Sequence, residues 1–245
     1  MVAKVSKSKS KSKAKEPKRA KEKSSGKLAR IKKARIKEKV LLDIPLYAQT
    51  EDFTSSAAAA MMVLKTLNKN FKLKKDVEEK IWQEAVNGSV WYGSKYGLAY
   101  ALAKRGAEVA VMSNTKDEGY EKTMAVYENI NLDTLSASFS EIKQKALGMG
   151  VEEEYIPSAN LQLIKKALSS NYIPIILIDI RAILGTEKSE EMESLPHWVV
   201  VKGYDKDNFY INDPYSYHTI ALDPESLKAA LGYENDFHMI LVKKK

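Results

Sequence analysis

The sequence contains no cysteine. That excludes disulfide support and a thiolate nucleophile, and it fits a reducing compartment, so the expected location is the cytoplasm. Long apolar runs are missing as well. No window reaches the roughly 18 apolar residues a membrane-spanning helix needs, and the N-terminus lacks the apolar core of a signal peptide. The expected protein is therefore soluble, with no membrane partner. Residues 2–26 lack aromatic side chains and large apolar ones beyond Val2 and Val5. Such a Lys/Ser-rich stretch cannot offset its ordering entropy and is expected to be disordered. Histidine is scarce, with only His197, His218 and His238. No internal repeat is visible, and neither a cofactor nor a metal site is read from the sequence.

What is present is unevenly spread. Residues 1–40 hold 17 Lys and Arg against 3 Glu, whereas the other 205 residues hold 23 basic and 29 acidic side chains. The net charge of +8 thus belongs to the N-terminal segment. A run of lysines neutralises phosphates without reading bases, so RNA or a ribosomal surface is the expected partner of residues 1–39; a purely solubilising extension is the alternative. At 245 residues and 44% hydrophobic, one core is comfortably supported. The division expected is a disordered basic tail over 1–39 and one domain over 40–245. Within 27–39, Leu28, Ile31 and Ile36 stand among basic residues, a pattern for a helix that needs a partner surface to be stable.

Hydrophobic periodicity predicts helices over 55–68, 74–86, 94–105, 138–147, 159–169 and 224–231. Strands are predicted over 40–45, 108–112, 151–156, 172–180, 197–204, 208–213 and 236–243. A helical N-terminal half followed by an antiparallel sheet is an α+β arrangement. Arg181 to Pro196 is a polar, acidic connection longer than most, and long loops are often functional.

Three residues invite a chemical reading. Ser55 stands at a predicted helix start, where N–H groups and the helix dipole favour negative charge; a serine there is ordinarily a cap. His197 opens an apolar strand directly after the long loop. Asp213 ends the next strand in Asn212-Asp213-Pro214, a sequence usually found in turns. If Tyr204 pairs with Phe209 around a four-residue turn, Asp213 opposes Val200 and points away from the face of His197. A loop of odd length, or a bulge for which Gly203 is the candidate, brings Asp213 opposite Val199 and onto that face.

The stretch LYAQTEDFTSSAAAAMMVLKTL over 46–67 resembles the opening motif of C39-type, papain-like cysteine peptidases, in which a glutamine stands six residues before a Cys-Gly-Pro that begins a long helix. Here Gln49 is retained and the triplet reads Ser55-Ser56-Ala57. Tyr92 to Ala99 with Ala103 to Val109 is similar to that family's glycine-marked helix, and His197 through Gly203-Tyr204-Asp205 to Asp213-Pro214 to its C-terminal hairpin. The resemblance implies a papain-like fold, with the helical half packed on the C-terminal antiparallel sheet. It implies Ser55 in the nucleophile's position, His197 as base, Asp213 as its orienter, and Gln49 as a donor to an oxyanion. A serine hydroxyl cannot be held ionised as a cysteine can. The expected function is therefore a non-catalytic pseudopeptidase whose cleft binds a peptide or a protein terminus. The alternatives are an active serine-dependent amidohydrolase or peptidase using Ser55, His197 and Asp213, and an RNA-associated scaffold.

Overall fold

The strand runs of the C-terminal half are continuously apolar because the sheet they form is covered on both faces. The computed structural model describes residues 26–86, 88, 90–184 and 193–245. The strands are β1 (Val40–Leu41), β2 (Ala107–Ser113), β3 (Glu152–Tyr155), β4 (Ile173–Asp179), β5 (Pro196–Tyr204), β6 (Phe209–Asp213), β7 (His218–Leu222) and β8 (His238–Lys244). They form one sheet in the order β3-β2-β8-β4-β5-β6-β7, with β1 pairing β5. The β2–β3 pairing is parallel and the remainder antiparallel.

Successive side chains alternate between two cores, as the two-residue period of a strand requires. Val109, Val111, Ile175, Leu177, Trp198, Val200, Ile240 and Val242 join one cluster. Its helical side is built by α2 (Ser55–Leu67), α3 (Lys75–Val86), α4 (Lys95–Lys104), α5 (Glu121–Tyr127) and α6 (Leu132–Gly148). Ala110, Met112, Ile176, Ile178, Val199, Val201, Met239 and Leu241 join the other, under α1 (Gly26–Lys33), α7 (Leu161–Ser169) and α8 (Pro224–Ala230). The α2 helix is buried through its first ten residues, Ser55 to Leu64. Such all-round burial suits its run of alanines and methionines and marks a central helix.

The α+β class, with helices packed on a largely antiparallel sheet, agrees with the sequence reading, while several elements differ from it. The sheet also takes in β2 and β3, which precede the run of C-terminal strands. The α6 helix begins six residues earlier than predicted, because the Asn131 side chain caps it by accepting from the N–H groups of Asp133 and Thr134. The short α5 helix and the edge strand β7 have no counterpart in the prediction. The long connection after β4 opens with a 3₁₀ turn over Ile180–Ile183, and its residues 185–192 lie outside those described.

The folded body also starts earlier than Val40. The α1 helix buries Leu28 and Ile31, and Lys27 and Lys32 pair with Glu152 and Glu154 of β3. Lys166 of α7 donates to the Lys32 carbonyl, and Tyr204 to that of Lys37. The partner surface this basic helix needed is its own domain, supplied by residues more than 120 positions away. The expected disorder over residues 1–25 falls outside the described residues.

Candidate functional site

The hairpin of β5 and β6 decides whether His197 and Asp213 can meet. Tyr204 pairs with Phe209, Gly203 with Tyr210, Val201 with Ile211 and Val200 with Asn212, so the register shifts between Val201 and Gly203. Lys202 is the extra residue of this β-bulge. Gly203 is required beside it: a Cβ there would lie 2.3 Å from the Val40 carbonyl oxygen and 2.8 Å from the Leu41 Cα. The one-residue shift turns Asp213 onto the face of His197, as a one-residue change in register must.

The result is a buried pair, His197 Nε2 to Asp213 Oδ1 at 2.6 Å, with the residues 2% and 0% exposed. Asp213 Oδ1 also accepts from Tyr215 N at 3.0 Å, and Oδ2 from Ser216 N at 2.9 Å. Burial works against ionising this carboxyl, but the contacts from His197 and Ser216 outweigh it, and Asp213 is held below the usual aspartate range. An ionised carboxylate facing Nε2 fixes the proton of a neutral imidazole on that nitrogen and leaves Nδ1 as the basic one. Nδ1 has no hydrogen-bond partner among the described residues, and the Tyr215 ring lies edge-on with its centroid 6.4 Å from that of His197. Next to the pair, Asn212 donates to Ile44 O at 3.0 Å and accepts from Thr219 Oγ1 at 2.7 Å.

The helix end of the site is built differently. Thr54 is the N-cap of α2, without a side-chain capping bond, and Ser55 is the first helical residue. The cap expected at Ser55 therefore falls one residue earlier. Ser55 is buried, and its Oγ accepts from the Trp198 N–H at 3.3 Å. It makes no hydrogen bond to the His197 ring. Gln49 is tied beside the Asp213 turn by its N–H to Pro214 O at 3.0 Å. Its amide NH₂ donates to the carbonyls of Glu51 and Asp52, each at 3.0 Å, while its Oε1 is buried without a partner. The reverse amide orientation would set oxygen against two carbonyls, so the free atom is an acceptor. Donation to an oxyanion would require this amide to turn. Ser56 Oγ is also buried without a partner, under Gly93, whose φ of +74° suits glycine and where a Cβ would lie 2.6 Å from that Oγ.

Sequence reasoning missed several supporting residues. Glu78, fully buried, accepts from Tyr47 Oη at 2.9 Å and Thr50 N at 3.0 Å, holding the loop that leads to Ser55. Behind Trp198 lies a second polar group. Lys95, buried in α4, donates to Ser113 Oγ at 3.3 Å and to the carbonyls of Thr115 at 2.9 Å and Asp117 at 2.8 Å. Burial lowers the pKa of Lys95 and raises that of the neighbouring Glu121, with their opposite charges offsetting part of each shift. Both Glu121 carboxylate oxygens lack a hydrogen bond. His238 meets Ser113 Oγ through Nδ1 at 2.9 Å, leaves Nε2 unpartnered, and is kept neutral by burial and then by Lys95. A lysine in the first turn of a helix, between Ser94 and Tyr96, gives no signal of this burial. His218 is exposed on β7. No group of three His, Asp or Glu among the described residues could hold a metal ion.

The chain belongs to the Peptidase C39-like family, whose model matches residues 44–231. Among solved structures it is similar to the peptidase domain of Streptococcus ComA, a bifunctional ABC transporter involved in a quorum-sensing pathway. That match has 16% identity and a TM-score of 0.42, covering 82% of this chain and 99% of the other. A protein described as a C39-like peptidase from Bacillus anthracis matches at 15% identity and a TM-score of 0.45, over 85% and 99% of the two chains. Xylellain, a cysteine protease from Xylella fastidiosa, matches at 14% identity and a TM-score of 0.45, over 89% of each chain. Likenesses this distant carry no argument about chemistry. A search of curated proteins gave no match. No helix among the described residues is long and apolar enough to cross a membrane.

Proposed function

We propose that this chain is a non-catalytic member of its family, a pseudopeptidase in which serine has replaced the cysteine nucleophile and whose cleft binds a peptide or protein terminus. The observation that carries this reading is the state of the helix end of the site. Ser55 Oγ accepts a backbone N–H instead of donating to His197, and the Gln49 amide donates to two loop carbonyls. Serine acylation needs concerted proton removal and donors already aimed at the oxyanion. A fluorophosphonate probe should leave the protein unlabelled to the level of Ser55→Ala, while peptides still bind. Labelling that depends on both Ser55 and His197 would overturn the reading.

A second reading, an active serine hydrolase, is favoured by one observation: His197 is already oriented by Asp213 with Nδ1 available. Ser55→Cys separates the two. If the cleft retains thiol-activating geometry, the introduced thiol alkylates faster at neutral pH than a model thiol, and His197→Ala removes the difference.

The Lys-rich N-terminal segment supports a further part of the proposal, contact with RNA or a ribosomal surface in the cytoplasm. Removing residues 1–25 should abolish most salt-sensitive RNA binding. Unchanged RNA binding after truncation would assign it to the folded domain, whose charge is net acidic beyond residue 40.

A further inference from the structure

Three helices on the α2 side of the sheet enclose a cavity of about 340 Å³ that the Ser55–His197 site does not use. Lys80 and Glu84 line it from α3, Tyr100 and Lys104 from α4, Arg105 from the residue that ends α4, and Lys145 from α6. Lys80 and Glu84, like Tyr100 and Lys104, stand four apart on a helix and so share a face. Glu84 is the one acid on this wall among the described residues, and two cations divide it: Lys104 takes Oε1 at 2.8 Å and Arg105 takes Oε2. Arg105 spends only Nη1 on Glu84 and on the Ala101 carbonyl, the latter at 2.8 Å. Its Nε–Nη2 edge makes no hydrogen bond among the described residues. Exposed Lys80 forms no ion pair among them either, whereas Lys145 pairs with Glu141 of its own helix at 2.6 Å.

Four cations thus face one carboxylate, and with Lys145 counted against Glu141 the wall keeps an excess of two positive charges. A carboxylate ligand brings one charge and two oxygens, which the free edge of the Arg105 guanidinium would satisfy alone. A phosphate monoester brings up to two charges and three oxygens, enough for that edge and for a lysine besides. The half-buried Tyr100 ring adds an apolar wall that suits the carbon skeleton of an ester. The volume is that of a small-molecule site at the lower end of the usual range. We propose that this cavity binds a small organic phosphate monoester, with Arg105 and Lys80 on the phosphate and Tyr100 against its carbon skeleton. No lining residue belongs to the Ser55–His197 site, so the proposal stands apart from the peptide-binding reading.

The test follows binding of phenyl phosphate to the full chain by calorimetry in low salt. Arg105→Lys keeps the charge but loses the two-pronged edge, and should weaken binding about tenfold. Lys80→Gln should weaken it about fivefold, whereas Lys72→Gln, at an exposed lysine outside the cavity, should leave it within about twofold. The two glutamine variants remove the same charge and keep the Lys-rich N-terminal segment, so their difference reads the cavity alone. Lys80 has no ion pair to lose, which keeps the test open should Arg105→Lys misfold. Benzoate and inorganic phosphate should each bind about tenfold more weakly than phenyl phosphate. Equal weakening by Lys80→Gln and Lys72→Gln would overturn the cavity as the site and leave general attraction to a basic chain. Benzoate as tight as phenyl phosphate would overturn phosphate as the ligand class, and inorganic phosphate as tight would overturn the ester. No binding of phenyl phosphate would remove the proposal altogether.

Discussion

The two ends of the site are finished to different standards. At the hairpin end, Asp213 receives His197 and two backbone N–H groups, Asn212 bonds on both sides of its amide, and a bulge sets the register that makes this possible. At the helix end, Gln49 Oε1 and Ser56 Oγ are buried without partners, and the Ser55 hydroxyl faces a backbone amide. Buried polar groups are ordinarily satisfied, and each orphan costs about 1–3 kcal/mol. The hairpin end has such an orphan too, in Ser216 Oγ, but both oxygens of its Asp213 carboxylate are engaged, one of them by His197, whereas at the helix end the orphans include Gln49, a candidate site residue. What the difference teaches is that the His197 ring is oriented independently of Ser55 and Gln49, neither of which shares a side-chain hydrogen bond with it.

Mutation can break that contrast, most severely at Asp213. Asp213→Ala strands two backbone N–H groups and the His197 Nε2–H, and should cost about 3 kcal/mol in urea unfolding at pH 7. Because the native Asp213 pKa lies below its unfolded value, the carboxylate's contribution is present above about pH 4 and disappears as pH falls through the native value. The gap between wild type and variant should narrow in matched unfolding curves at pH 3. A constant gap would show that Asp213 acts through packing instead of charge.

Gly203→Ala comes next. Its methyl must displace the Val40 carbonyl and the Leu41 backbone, costing about 2 kcal/mol by overpacking. Chemical shifts of the His197 ring should move with it, since the bulge sets its partner. The helix end should respond with the opposite sign. Ser56→Ala removes a buried orphan hydroxyl and should stabilise by about 1 kcal/mol. A loss of stability there would reveal an internal partner, such as a bound water. Gln49→Ala should be the mildest, within about 0.5 kcal/mol in thermal unfolding, because the two carbonyls it serves lie in exposed loop residues.

The hairpin was legible in the sequence because its logic is local. Strand parity permits His197 and Asp213 to meet only through an odd loop or a bulge, and Gly203 marks where the chain tolerates one. The central helix was legible from Ala57 to Leu64, whose composition admits only burial. The remainder depended on residues distant in sequence. Nothing near Lys27 announces Glu152, and nothing near Lys95 announces Glu121. The capping Asn131 was a readable local signal, and its Asn-x-x-Thr spacing would have started α6 at the correct place. The orientation of the Gln49 amide is not encoded in residue type at all; it depends on where two carbonyls happen to point.

The docking of α1 has a consequence for the sheet's end strand. β3 closes the strand order, and Glu152 and Glu154 on it pair with Lys27 and Lys32 of α1. Charged side chains at a sheet edge discourage pairing with a second chain, and here half of those charges are brought by the chain's own first helix.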